Sequence, residues 1–232
     1  MNSFLAAILI FLSISFFKKG ETLQNFNSQT ILKLDTLILT EIFVDSINIG
    51  QKKKNMVELK KFKLSDSVFV KINFYTKIAN NKWQLQQTFE FEKDDVTNLN
   101  VELSDFNNDG LKDMTYESAV AGRGANEVRK LFIYDKTKNK LTYIKNSEDY
   151  PNMQYNKELN CIDAMLFYGG TATVFARLQK DSLKEFAMVE TTDYITVSII
   201  DKYGKSKIIK KRKTQQDEEF IRYRNFNPLK AY

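Results

Sequence analysis

The 232-residue sequence contains no histidine. That excludes Ser-His-Asp and Cys-His catalysis, and any zinc or iron centre built on imidazole. A single cysteine, Cys161, excludes an internal disulfide and a thiolate zinc cluster. With 8 glycines and 2 prolines, collagen-like and low-complexity chains are excluded as well. Against these absences stand 11 tyrosines and 18 phenylalanines. An aromatic load of that size belongs to a chain that buries a core. The length suits one large domain or two small ones.

Phe4 to Phe17 reads FLAAILIFLSISFF, without a charge. As a helix it would rise about 21 Å, short of the roughly 30 Å hydrocarbon core of a bilayer. The stretch is therefore expected to be a signal-like helix within residues 1–20, and the protein periplasmic or secreted. No Lys or Arg precedes the run, and Lys18 and Lys19 follow it, which keeps an uncleaved membrane anchor as the alternative. In that case residues 4–17 would be the expected membrane contact.

The formal charge is +6. It gathers in two places, Lys52 to Lys54 with Lys60, Lys61 and Lys63, and the stretch from Lys202 to Lys213, which holds no acidic residue. Such clusters suit polyanions. The plainer reading is a solvated hairpin edge whose lysines prevent strand-to-strand aggregation. That reading is adopted here, with no nucleic-acid partner.

The dominant period is two. Val68 to Tyr75 alternates apolar and polar, as does Trp83 to Phe91, with an Asn80-Asn81 turn between them. Further strands are expected over 99–103, 114–118, 130–134, 141–144, 162–168, 171–178 and 182–190. A hairpin follows over 194–200 and 206–211, and one more strand is allowed over 220–226. Leu32 to Ile49 reads either as two strands or as a helix over 32–39. The aromatic strand residues and Trp83 are expected in the core. So is Cys161, as a small buried side chain. The expectation is a mainly β protein of antiparallel sheets in a propeller-like or sandwich arrangement. Its regions would be an N-terminal β region over 21–95, a core over 96–191, and a basic hairpin and tail over 192–232.

One segment carries chemistry, Asp105-Phe106-Asn107-Asn108-Asp109-Gly110-Leu111-Lys112-Asp113. Side-chain oxygens stand at its positions one, three, five and nine, with glycine at six. Calcium takes six to eight hard oxygen ligands in flexible geometry. A chain curling round the ion would turn Asp105, Asn107 and Asp109 inwards, and Gly110 allows the left-handed turn that follows. The Leu111 carbonyl and the Asp113 carboxylate would close the loop. Three carboxylates in nine residues repel one another without a cation, so Ca²⁺ is the expected cofactor. The alternative is a plain Asn-Asp-Gly turn. An EF-hand is excluded, because its bidentate Glu at position twelve is here Tyr116 and the flanks read as strand.

Strand, calcium loop with Asp at position nine, strand: this resembles the FG-GAP and VCBS type of repeat. After the loop come Ala119 to Asn126 (AVAGRGAN), then 131–137 (LFIYDKT) and 167–172 (FYGGTA). That order is similar to a bacterial family of exported, propeller-like calcium-binding proteins, which includes periplasmic lysozyme inhibitors and type IV secretion immunity proteins. The resemblance covers roughly residues 99 to 190. It implies a small-residue loop that enters a hydrolase cleft, a part that Gly122, Arg123, Gly124 and Asn126, or Gly169, Gly170 and Thr171, would play. Net positive charge works against docking on a basic hydrolase.

For catalysis, Glu117, Glu127, Glu148 and Asp149 have no spacing that sets them apart from surface carboxylates. The expected function is thus non-catalytic binding of a macromolecule, either a protein such as a peptidoglycan hydrolase or an envelope glycan. A surface adhesion or structural module is the alternative, and a carboxylate-dependent hydrolase the weaker one.

Overall fold

The computed structural model describes residues 36–232, which form one compact unit. The signal-like helix lies outside the described residues. Among the described residues no helix is long and apolar enough to cross a membrane.

The described residues are mainly β, with several antiparallel sheets and, among them, no closed barrel. The first sheet is a four-stranded meander of β1 (Ile38–Asp45), β2 (Asn55–Leu64), β3 (Ser67–Lys77) and β4 (Trp83–Glu92). The second is another, β5 (Glu102–Ser104), β6 (Asp113–Ala121), β7 (Asn126–Asp135) and β8 (Lys140–Ile144). The third has six strands, β9 (Gln154–Asn156), β10 (Cys161–Tyr168), β11 (Gly170–Gln179), β12 (Ser182–Thr191), β13 (Tyr194–Ile200) and β14 (Ser206–Lys213). β15 (Tyr223–Phe226) and β16 (Leu229–Ala231) form a separate two-stranded hairpin.

Three cores separate these layers. Val57, Leu59, Val70, Ile72 and Phe74 of the first sheet meet Met114, Tyr116, Phe132 and Tyr134 of the second. Leu131 and Ile144, from the other face of the second sheet, meet Ile162, Val174 and Leu183 of the third. Phe175, Val189, Ile195 and Val197 pack under Tyr223, with Phe226 and Leu229 against them. This order explains the sequence patterns. β3 alternates because one face of its sheet meets solvent, whereas β6 and β11 carry unbroken buried runs because both faces are covered. Each fully buried Leu, Ile or Phe contributes roughly 1.5–3 kcal/mol.

Three expectations are corrected. The 32–49 segment, open to two strands or a helix over 32–39, holds one strand, Ile38–Asp45, and its residues 32–35 lie outside the described residues. Asn55–Leu64, which the lysines disguised, is a full strand. Trp83 is only half-buried at the start of β4, with the Lys77 ammonium 5.0 Å from its ring centroid. Cys161 is buried as expected, and burial pushes its thiol up to about 12.

Candidate functional site

The acidic loop joins β5 to β6. Its side chains turn inward onto its own backbone. The Asp105 carboxylate accepts the N–H groups of Asp109 (3.1 Å) and Gly110 (2.9 Å), and Asn107 Oδ1 accepts the Asp109 N–H (3.1 Å). Asp109 accepts the Leu111 N–H at 2.9 Å and an Asn107 side-chain N–H at 3.1 Å. Asn108 and Gly110 take the left-handed backbone, at φ 60° and 83°. Asp105, Asn107 and Asp109 thus gather on one side of the loop. Asp113 lies behind them, fully buried, accepting the N–H of Phe106 and of Tyr134, each at 2.8 Å. Burial pushes its carboxyl up to about 7; the two N–H groups pull the other way, and the charges of Asp109 and Asp105 add to the rise.

This donor set is all hard oxygen, which is what calcium takes and what soft metals avoid. Among the described residues no three Cys, Asp or Glu side chains stand close enough to hold a metal on their own. An ion here would therefore draw also on neutral oxygens, the Asn107 amide and the Leu111 carbonyl.

The two glycine-containing segments, more than forty positions apart in sequence, come together. The 3-10 turn Gly122–Gly124 and the β10–β11 turn line one cleft of about 760 Å³. Asn126 joins them: its side-chain N–H donates to the Phe167 carbonyl (2.8 Å) and its oxygen accepts the Phe167 N–H (2.9 Å). Gly122, Arg123, Gly169, Gly170 and Thr171 all line the cleft, and Gly124 stands in open space next to it. A Cβ on Gly170 would lie 2.6 Å from the Thr191 carbonyl oxygen, a backbone atom that cannot swing away. Gly170→Val should therefore push β11 from β12 and cost about 1–3 kcal/mol of stability, measured as a lower urea midpoint.

The sequence reading missed the opposite wall. Phe167 and Tyr168 stand beside Thr192, Asp193, Glu219 and Phe220. Phe220 is 66% exposed yet stacks on Phe167, ring centroids 6.4 Å apart. The Tyr168 hydroxyl donates to Glu190 at 2.7 Å. Arg123 (φ 57°) and Phe220 (φ 64°) both hold a left-handed backbone, a costly state for side chains of their size, and they face the same cleft. Only that strain and exposure mark Phe220, and neither is visible in sequence.

The four carboxylates considered for catalysis lie on the second sheet and the 3-10 turn after it, and three of them are engaged by side chains in or next to that sheet. Glu117 is buried and accepts an Asn100 side-chain N–H. Glu127 pairs with Arg129, and Glu148 with Lys130 and Ser118. Asp149 is exposed in a 3-10 turn. None of them lines the cleft.

No family model and no curated protein matches the chain. A solved structure described as a Xanthomonas type IV secretion system related protein is similar at 11% identity with a TM-score of 0.38, over 81% of this chain and 93% of that one.

Proposed function

We propose that the protein is an exported, non-catalytic binding module. Its β-sheets form a propeller-like stack, a calcium ion braces the Asp105–Asp113 loop, and the cleft between the Gly122 turn and the β10–β11 turn takes a macromolecular partner. The observation that carries this reading is the cleft itself. It joins both glycine-containing segments with an exposed, strained Phe220 and with Arg123 at the rim. Exposed aromatics beside an arginine are the usual anchors of a protein interface. The FG-GAP and VCBS resemblance makes a peptidoglycan hydrolase the sharpest candidate. Export rests on the apolar residues 4–17. Asp105, Asn107, Asp109, Leu111 and Asp113 would hold the ion, whose binding free energy would add to folding stability.

A second reading, adhesion to an envelope glycan, is favoured by the mix of hydroxyl, carboxylate and aromatic groups along the cleft. One experiment separates the two. The protein and its Arg123→Glu and Phe220→Ser variants are titrated into a panel of muramidases and, separately, onto purified cell-wall glycan. Inhibition that both variants weaken at least about tenfold supports the hydrolase reading. Glycan binding with no inhibition supports adhesion, and neither activity removes the cleft as a partner site. For the ion, a thermal melt in calcium should lie above the melt in chelator, and Asp109→Ala should abolish the difference. Coincident melts would leave a plain turn.

A further inference from the structure

The second basic cluster differs from the first in a way that bears on what it meets. In the first, Lys60 pairs with Glu58 at 3.0 Å, Lys61 with Glu41 at 3.1 Å and Lys63 with Asp95. Those three charges are answered within the fold, and Lys52, Lys53 and Lys54 stand exposed beside them on the turn that leads into β2. On the β13–β14 hairpin stand Lys202, Lys205, Lys207, Lys210, Lys211, Arg212 and Lys213. Among the described residues only Arg212 of these has an ion pair, with Glu218. Lys202 and Lys211 rest over the rings of Tyr203 and Tyr194, at 4.9 and 4.7 Å. Asp201, the acid nearest the turn, is committed to it, accepting the N–H groups of Tyr203 (2.8 Å) and Lys205 (2.9 Å).

The hairpin is also apolar where a protective edge would be polar. Tyr203 at the turn is 75% exposed, Ile208 57% and Ile209 39%. β14 is the outermost strand of its sheet and none of its residues is buried. Register passes directly from Val197–Lys210 to Ser198–Ile208, so Ile209 is the extra residue of a bulge. Lysines alone would keep this edge from pairing with other strands. They do not explain two adjacent isoleucines and a tyrosine presented to solvent. An aromatic tip, short apolar side chains and unpaired lysines on one element are the composition that adsorbs at a membrane interface. There aliphatic and aromatic groups enter the headgroup boundary while ammonium groups stay with the phosphates.

We propose that the β13–β14 hairpin docks tip and edge first on an anionic phospholipid surface, with Tyr203 and Ile208 entering the interface and lysines from both faces of the edge strand, Lys207 and Lys210 on one and Lys213 on the other, reaching lipid phosphates together with Lys205 at the turn. This contact is separate from residues 4–17 and from the cleft, and it does not depend on either. Each lysine near such a surface adds roughly a fivefold gain in affinity.

The test is co-sedimentation of the full chain with vesicles of phosphatidylcholine alone and of phosphatidylcholine with phosphatidylglycerol. The variants are Lys207→Glu/Lys210→Glu/Lys213→Glu and, separately, Tyr203→Ser/Ile208→Ser. All five positions are exposed, so both variants should melt with the wild type. Binding to the anionic vesicles should fall at least about a hundredfold in the charge variant and weaken with salt. The polar variant should lose several-fold without a change in salt slope. Binding to phosphatidylcholine, where residues 4–17 would act alone, should be equal in all three proteins. An excess of anionic over phosphatidylcholine binding that survives charge reversal, or the absence of that excess in the wild type, overturns the proposal. So does an unaffected Tyr203→Ser/Ile208→Ser variant whose vesicle binding duplex DNA competes away, which would mark a general polyanion patch.

Discussion

Asp113→Ala should remove about 2–6 kcal/mol of folding stability, because it leaves two buried backbone N–H groups without an acceptor. The Phe106 N–H lies in the acidic loop and the Tyr134 N–H in β7, so one carboxylate ties loop to sheet across 21 positions of sequence. The cavity left at this fully buried position would add to the loss. The measurement is the urea midpoint in chelator, where no ion contributes.

Its pH dependence follows from the same carboxyl. Burial raises the folded pKa to about 7 from an ordinary value of 3.8. The native state therefore holds more protons than the unfolded state between those values, and stability falls as pH rises from about 4 to about 7. Asp113→Asn removes that slope. The wild-type curve minus the variant curve should thus decline across this interval and be flat above it. Half-buried Glu185, raised by burial in the same direction, contributes equally to both proteins and cancels. Added calcium should flatten the wild-type decline, since an ion near the ionised carboxylate offsets the burial penalty. If calcium leaves the slope unchanged, Asp113 is a structural tie and not part of an ion site.

Most strands were legible because a sheet with one solvated face repeats every two residues, as Val68, Val70, Ile72 and Phe74 do. β2 was hidden for a specific reason. Its inward position 61 is a lysine, 5% exposed, which spends its charge on Glu41 and the Thr97 carbonyl. A cation on the core face breaks the apolar repeat, and the neighbouring lysines then read as a basic patch. The acidic loop was legible as a turn because spacing and Gly110 dictate it locally. The tie from Asp113 to Tyr134 was not, since it depends on which strand lies beside β6. The same holds for the cleft. Gly122 and Gly170 stand out in a glycine-poor chain, but Asn126 bridging to Phe167, and Phe220 arriving from the chain after β14, are products of the tertiary arrangement.

Glu219 and Phe220 lie between two ties, the Arg212–Glu218 ion pair on one side and, on the other, a buried carboxylate that the sequence did not mark. Asp163, in β10, is fully buried. It accepts Arg222 Nε at 2.7 Å, an Asn156 side-chain N–H at 2.9 Å and the Tyr232 hydroxyl, while Arg222 donates a further bond to the Asp163 carbonyl at 3.0 Å. Burial, with the hydrogen bond to Asp163 and its charge adding to it, holds the Tyr232 hydroxyl well above the usual phenol range. Asp163→Ala should cost about 3–5 kcal/mol, because it strands the Arg222 guanidinium beside an apolar core. Asp163→Leu with Arg222→Met removes both charges and should recover much of that loss, which a double-mutant cycle reads directly. The segment from Arg222 to Tyr232 carries β15 and β16, which cover Phe175 and Val197. Hydrogen exchange in the alanine variant should therefore accelerate first at Tyr223 and Asn225, ahead of β6 and β7. Phe220 lies two residues before Arg222, so the same variant should lose the Phe167–Phe220 stack and weaken any ligand of the cleft, while Asp113→Asn leaves that stack intact. Equal exchange across all strands would mean that the hairpin is held by its apolar contacts alone, and the cleft wall would then not depend on Asp163.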